Sequence, residues 1–156
     1  MQKRAVLLHN IRSAHNVGSI FRTADAAGVS EIILSGYTPT PLDRFQRPQK
    51  EIAKTALGAE HTIPWTQVRN VTAALKRLRD EGYIIAGVEQ DARAIDYRTF
   101  SPNNAVAYVL GNEVRGLSQS LRNRCDVLIE IPMHGKKESL NVSVAAGIAL
   151  FASLSN

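Results

Sequence analysis

Short apolar runs alternate along the chain with stretches in which apolar positions recur every three or four residues, a rhythm that predicts strands interleaved with helices. Residues 4–8 and 31–34 read as buried strands, and residues 61–63 as a third before Pro64 and Trp65. Residues 83–88, 105–110 and 127–131 complete the strand set. The first helix is predicted over residues 16–27, with Asn16 at its N-cap and Gly28 as its stop. At about 100° per residue, Asn16, Val17, Ile20, Phe21, Ala24 and Ala27 share one face, while Arg22 lies opposite in a row with small Gly18 and Ala26. Residues 66–81 form the clearest helical pattern, with Val68, Val71, Leu75 and Leu78 inward, Lys76, Arg77 and Arg79 on the wet face, and Gly82 as stop. A short helix over 118–123 and a final one over 141–154 follow. Residues 40–58 break the rhythm with Pro41, Pro48 and scattered charge, and read as a long excursion. Near-continuous apolar strands separated by helices imply an α/β fold, a mostly parallel sheet with helices on both faces, in one domain over residues 1–156.

Composition narrows the class. The 156 residues are 44% hydrophobic and 21% charged, ordinary values for a globular domain able to bury a core without staples. The formal net charge of +5 fits nucleic-acid, phosphate or anionic membrane partners, and charge alone fits a merely soluble surface equally well. Cys125 is the single cysteine, so an internal disulfide is impossible and a reducing compartment fits. It reads as a small core residue, although Arg122 and Arg124 flank it. The opening MQKRAVLLHN is too short in apolar length for a signal peptide, and residues 140–154 are too short for a bilayer and carry Asn141, Ser143 and Ser153. A cytoplasmic protein without membrane contact is expected.

Several standard chemistries fail on spacing. The first strand–helix turn, HNIRSAHNVGS, has one glycine where a dinucleotide fingerprint needs three. Gly111 to Ser118 has the glycine spacing of a phosphate loop, but Leu117 replaces its lysine and Glu113 would repel phosphate. His9, His15, His61 and His134 lack metal-ligand spacing, and no G-x-S-x-G elbow supports a hydrolase triad. Three polar islands remain, each just after a strand: Asn16 with Arg22; Gly111, Asn112, Glu113, Arg115 and Gly116; and Pro132, Gly135, Ser139, Leu140 and Asn141. Ligands of open α/β sheets bind at the carboxyl ends of strands, so the islands are expected to converge.

In this order, Asn16-x-Gly18-x-x-x-Arg22, Leu110-Gly-Asn-Glu113-x-x-Gly116-Leu, and Ile131-Pro-Met133 with Ser139-Leu-Asn141-x-Ser143-x-Ala145 closely resemble the three motifs of the SpoU (TrmH-like) branch of the SPOUT methyltransferases. The resemblance covers nearly the whole chain. It implies methyl transfer from S-adenosylmethionine to a ribose 2′-hydroxyl of tRNA or rRNA by a homodimer, with a deep trefoil knot over about residues 105–156, against the general rule that chains are unknotted. It places cofactor contacts at Val88, Gly111, Ile131, Met133, Ser139 and Leu140, and catalytic roles at Arg22, Asn16, Glu113 and Asn141. The small residues Ala145, Ala146, Gly147, Ala149 and Ala152 suit a close backbone approach in the knot or a dimer, and simple core packing explains them as well. The N-terminal RNA-binding domain of several relatives is not expected, because Met1 to Arg4 leads straight into the first strand.

A ribose hydroxyl is a weak acid, so its proton must be removed or the developing alkoxide stabilised. The family assigns Arg22's counterpart to that step. A guanidinium with pKa above ~12 is a poor base and a good phosphate ligand, so Arg22 is expected to bind a phosphate and polarise the hydroxyl, oriented by Asn16. Asp25 could hold Arg22 as a surface pair, and Glu113 could pair with Arg115 or Arg12. Arg12, Arg115 and the excursion residues Arg44, Arg47, Lys50 and Lys54 are candidate RNA contacts, the excursion ordering on binding. The rival from another class is a non-catalytic RNA-binding or assembly module of the same fold.

Overall fold

The computed structural model describes residues 2–154; Met1, Ser155 and Asn156, the outermost residues of the expected domain and knot, lie outside them. Seven strands form one sheet in the order β3-β2-β1-β6-β4-β7-β5, and every pairing is parallel. They are β1 (Arg4–His9), β2 (Glu31–Ser35), β3 (Trp65–Val68), β4 (Ile84–Val88), β5 (Ile95–Asp96), β6 (Val106–Leu110) and β7 (Val127–Glu130). The helices are α1 (Ala14–Ala26), α2 (Lys50–Ala56), α3 (Ala59–Thr62), α4 (Val71–Asp80), α5 (Gln119–Asn123) and α6 (Val142–Ala152).

The two-residue period of β1 divides the core. Val6 and Leu8 face α1, α2 and α6 together with Tyr108 and Leu110, while Ala5 and Leu7 face Leu75 and Leu78 of α4 and Leu121 of α5. Both sheet faces are therefore covered, which is why the central strands read as unbroken apolar runs. The order reverses around β6, which lies between β1 and β4 although it follows both in the chain. The carboxyl ends of β1, β4, β6 and β7 thus meet at one rim, where open α/β sheets bind their ligands.

Three predicted elements differ. Residues 61–63 are not a strand: Ala59–Thr62 is a helical turn, and the strand begins after Pro64, at Trp65. The pattern over 66–81 begins as that strand, whose β-branched Thr66 and Val68 suit it, and the helix starts only at Val71. Asn70 makes the break, accepting a hydrogen bond from the Ala73 N–H as N-cap. The excursion contains α2, whose Ile52 and Ala56 are buried against α1, so residues 50–56 are folded into the core without any partner. Gly18, expected on the open face with Arg22, is buried where α2 crosses α1.

Candidate active site

Three loops at the rim enclose a cavity. From β4 come Val88, Glu89 and Gln90, from β6 the turn 111–116, and from β7 Ile131 and Met133; Ser139 and Leu140 close it on the way into α6. The turn is rigidly built. Asn112 Oδ1 accepts hydrogen bonds from the Val114 and Arg115 N–H groups at 2.9 Å, and the Gly116 N–H donates to the Asn112 carbonyl at 2.8 Å. Gly116 has φ +65°, and a Cβ on Gly111 would lie 2.6 Å from the Gly116 carbonyl carbon, so both glycines are required by the turn. All six residues expected to contact cofactor line this one cavity, and so do Glu113 and Arg115.

Glu89, which no sequence motif marks, lines the same cavity. Its Oε2 accepts the Leu117 N–H at 2.8 Å and so braces the turn from the neighbouring strand end. Gln90 acts similarly, its side-chain amide donating to the Glu138 carbonyl at 2.6 Å. A Glu-Gln pair after an apolar strand carries no motif, and only the strand order shows that β4 ends beside this turn.

The polar islands meet through side chains. Glu113 accepts hydrogen bonds from the backbone N–H groups of Arg12 and Ser13 at 3.0 Å, and from the Asn16 side-chain amide at 3.4 Å. Asn16 Oδ1 in turn accepts from the Asn141 amide at 3.2 Å, while Asn141 Oδ1 caps α6 by accepting from Ser143 and Val144 N–H. Asn16 is therefore not the N-cap of α1. That role belongs to Ser13, whose hydroxyl accepts the Asn16 N–H at 3.1 Å, and Asn16 sits one turn inside as the buried link between the other two islands. Burial pushes the Glu113 carboxyl up, but the Ser13 and Arg12 N–H groups and the Asn16 amide outweigh it and hold it below its ordinary value. The alternative of an ion pair from Arg12 or Arg115 to Glu113 is not formed; Arg12 meets it through its backbone N–H.

Arg22 stands apart from this bridge. Six residues beyond Asn16 on an α-helix means about 9 Å along the axis and about 240° around it. It lines a shallow depression with Ser19, Thr23, Lys54, Leu57 and Phe151. Asp25 does not hold it, since its carboxylate accepts the Thr62 hydroxyl at 2.9 Å instead. Arg47 is tied to Asp43 at 2.9 Å, whereas Lys50 and Lys54 project from successive turns of α2. Cys125 is half-buried, and burial first, then nearby Asp126, pushes its thiol up to about 11, so the core reading holds. Among the described residues no helix is long and apolar enough to cross a membrane.

A family model described as the SpoU rRNA Methylase family matches residues 3–151. A putative TrmH family tRNA/rRNA methyltransferase of Staphylococcus haemolyticus is 38% identical over 146 residues, covering 94% of this chain and 56% of the relative. The chain thus spans about half the length of the curated relatives it matches. The AdoMet-bound rRNA methyltransferase of Sinorhizobium meliloti superposes with a TM-score of 0.87 at 33% identity, over 98% of this chain and 56% of that one. The SpoU methyltransferase AviRb of Streptomyces viridochromogenes, in complex with AdoMet, superposes with a TM-score of 0.83 at 27% identity, over 97% of this chain and 59% of that one.

Proposed function

The chain belongs to the SpoU rRNA methylase family, and from that premise we propose that it transfers a methyl group from S-adenosylmethionine to a ribose 2′-hydroxyl of tRNA or rRNA, acting as a homodimer. The observation that carries this reading is the convergence of three distant motifs on one rim, joined by the Glu113–Asn16–Asn141 bridge. The cavity suits the cofactor, because apolar Val88, Leu110, Ile131 and Leu140 offer walls to an adenine while the carboxylates of Glu89, Glu130 and Glu138 surround it with charge that favours a cationic ligand. When bound, S-adenosylmethionine supplies an activated methyl on a sulfonium. The rest is positioning. Gly111, Ile131, Met133, Ser139 and Leu140 hold the donor from the loops, and in-line placement of the hydroxyl supplies much of the acceleration.

Arg22 binds a substrate phosphate and polarises the hydroxyl, with Arg12, Arg115, Lys50 and Lys54 as further backbone contacts. Its separation from the cavity within one chain supports a site completed by a second copy. α6 is apolar apart from Ser143, and its outer face leaves Val144 49% and Phe151 45% exposed. Phe151 borders the Arg22 depression, so a partner covering that face would lie against Arg22. The trefoil knot over about residues 105–156 belongs to the same reading, supported by β6 lying inside the sheet and by α6 returning to pack against α1, β4 and β6.

The test is tritiated methyl transfer to bulk RNA from a strain lacking the protein, with mass-spectrometric mapping of the product and calorimetry with S-adenosylmethionine. Arg22→Lys should keep cofactor affinity and lose most turnover; near-normal turnover overturns its assigned role. A folded parent protein that binds no S-adenosylmethionine overturns the enzyme reading in favour of the RNA-binding module.

A further inference from the structure

Between β2 and α2 the chain builds a tight turn whose apex is an exposed aromatic ring. Asp43 organises it: Oδ1 accepts the Phe45 N–H at 2.8 Å and the Arg47 N–H at 3.0 Å, and Oδ2 pairs with Arg47 Nε at 2.9 Å. The Asp43 N–H donates to the Arg47 carbonyl, Leu42 bridges to Pro48, and Gln46 takes φ +62° to close the loop. So much local order holds up a Phe45 ring that is 62% exposed and supports no core. The guanidinium carbons of Arg44 and Arg47 sit 4.7 and 4.9 Å from its centroid. Arg44 has no carboxylate partner among the described residues, so its donors are available.

Basic side chains lead from this apex to Arg22. Arg47 and Lys50 share one shallow depression, Lys50 and Lys54 lie four residues apart on one face of α2, and Lys54 shares the next depression with Arg22. At the start of the same loop, the 60% exposed Tyr37 accepts a hydrogen bond through its hydroxyl from Asn112 at 2.9 Å, which ties the loop to the cavity's turn. An exposed phenyl ring with guanidinium groups close to it, beside a basic track, is the chemistry that binds an unpaired base with its flanking phosphates.

We infer that Phe45 is a stacking platform for one unpaired base of the RNA, a neighbour of the methylated nucleotide, with Arg44 and the track through Lys50 and Lys54 holding the intervening backbone. This rests on the RNA reading above and adds to it that the substrate is single-stranded around the target. The ring reads no base edge, so the contact is tolerant of sequence and anchors register along the strand.

The probe is a mixed-sequence single-stranded RNA oligomer carrying 2-aminopurine, titrated at several salt concentrations against the parent protein, Phe45→Leu, Phe45→Trp and Arg44→Gln. Loss of one stacked base should weaken binding by Phe45→Leu roughly five- to a hundred-fold without changing the salt slope, while Phe45→Trp retains affinity and quenches the probe. Arg44→Gln should lower the salt slope by about 0.7, the value for one phosphate on a single strand. Parent-like binding by Phe45→Leu, or a parent protein indifferent to the probe, overturns the proposal. A change in sedimentation with unaltered RNA affinity also overturns it, assigning the ring to a contact between copies. Methyl transfer by the parent protein is scored separately, so a turnover-competent parent with an indifferent Phe45→Leu variant rejects the platform alone.

Discussion

Gly18→Ala should destabilise the protein even though alanine is the better helix former. In an exposed helix the exchange would gain about 0.5–1 kcal/mol. At this position the added Cβ would come closer than 3.0 Å to both the Thr55 hydroxyl and the Ile52 carbonyl oxygen, and would lie 3.1 Å from the Ala56 nitrogen. Thr55 can rotate away, but it then gives up its hydrogen bond to the His15 carbonyl, 2.9 Å long and worth about 1 kcal/mol. The Ile52 carbonyl belongs to the backbone of α2 and can yield only if that helix shifts. Overpacking of this kind costs about 1–3 kcal/mol, which with the lost hydrogen bond exceeds the propensity gain. The net loss is about 2 kcal/mol, or a fall of about 4–8 °C in Tm for a domain of this size. Urea denaturation followed by circular dichroism measures it. Because the cavity is built from β4, β6, β7 and the approach to α6, affinity for S-adenosylmethionine in native buffer should be unchanged. Stability equal to or above the parent would refute the packing argument, since it would mean that α2 does not rest on α1 as described.

Two further predictions concern ionisation. Glu113→Gln should lose about 1 kcal/mol at neutral pH, because the amide keeps one acceptor oxygen but forfeits the charge-assisted bonds to Arg12 and Ser13. The Glu113 carboxyl is held low in the folded state, so its stabilisation is fully present above the unfolded value, about 4.3, and is lost as pH falls through the lower folded value. Asp91 and Asp96, held low chiefly by hydrogen bonds from Arg93 and Arg98, titrate in the same direction, so the parent-minus-variant difference in acid urea melts isolates Glu113; a difference that grows toward acid would contradict the sign. The Cys125 thiol should resist Ellman's reagent at pH 8 and react at the rate of unfolding, and rapid reaction in native buffer would show that burial does not govern it.

The legible parts of the fold were those where one periodicity ran undisturbed. β1, β4 and β6 are buried on both faces, so their apolar runs pointed to a parallel sheet without knowledge of their order. The stretch after Pro64 misled because Val68, Val71, Leu75 and Leu78 keep helical spacing straight across a strand, a loop and a helix. Only Asn70, a capping residue in mid-pattern, marked the boundary. α2 escaped notice because seven residues between Pro48 and Gly58 show little more than one turn of pattern, and what stabilises them is burial of Ile52 and Ala56 against α1. At the site, motif residues were readable as chemistry but their partners were not. Glu113 binds the backbone of Arg12 and Ser13, about a hundred positions away, and backbone donors leave no trace in composition.

Those partners bear on how the proposed reaction divides its work. Both Glu113 oxygens already accept backbone hydrogen bonds, and its carboxyl is held in the charged form, so it is poorly placed to carry a proton through turnover. Asn141 is likewise committed, its oxygen to the start of α6 and its amide to Asn16. In the proposed reaction the bridge therefore positions, setting the loops of the cavity against the β1–α1 loop. The charge developing on the ribose oxygen is left to a group outside it. Arg22 has donors to offer and no carboxylate to neutralise it among the described residues, but the depression it lines shares no residue with this chain's own cavity. Electrostatic stabilisation by a guanidinium requires close approach in a dry site. The assignment of Arg22 and the assignment of a homodimer therefore stand together: a variant that keeps Arg22 but is monomeric, for example through a charge at Phe151 on the exposed face of α6, should bind S-adenosylmethionine and transfer nothing.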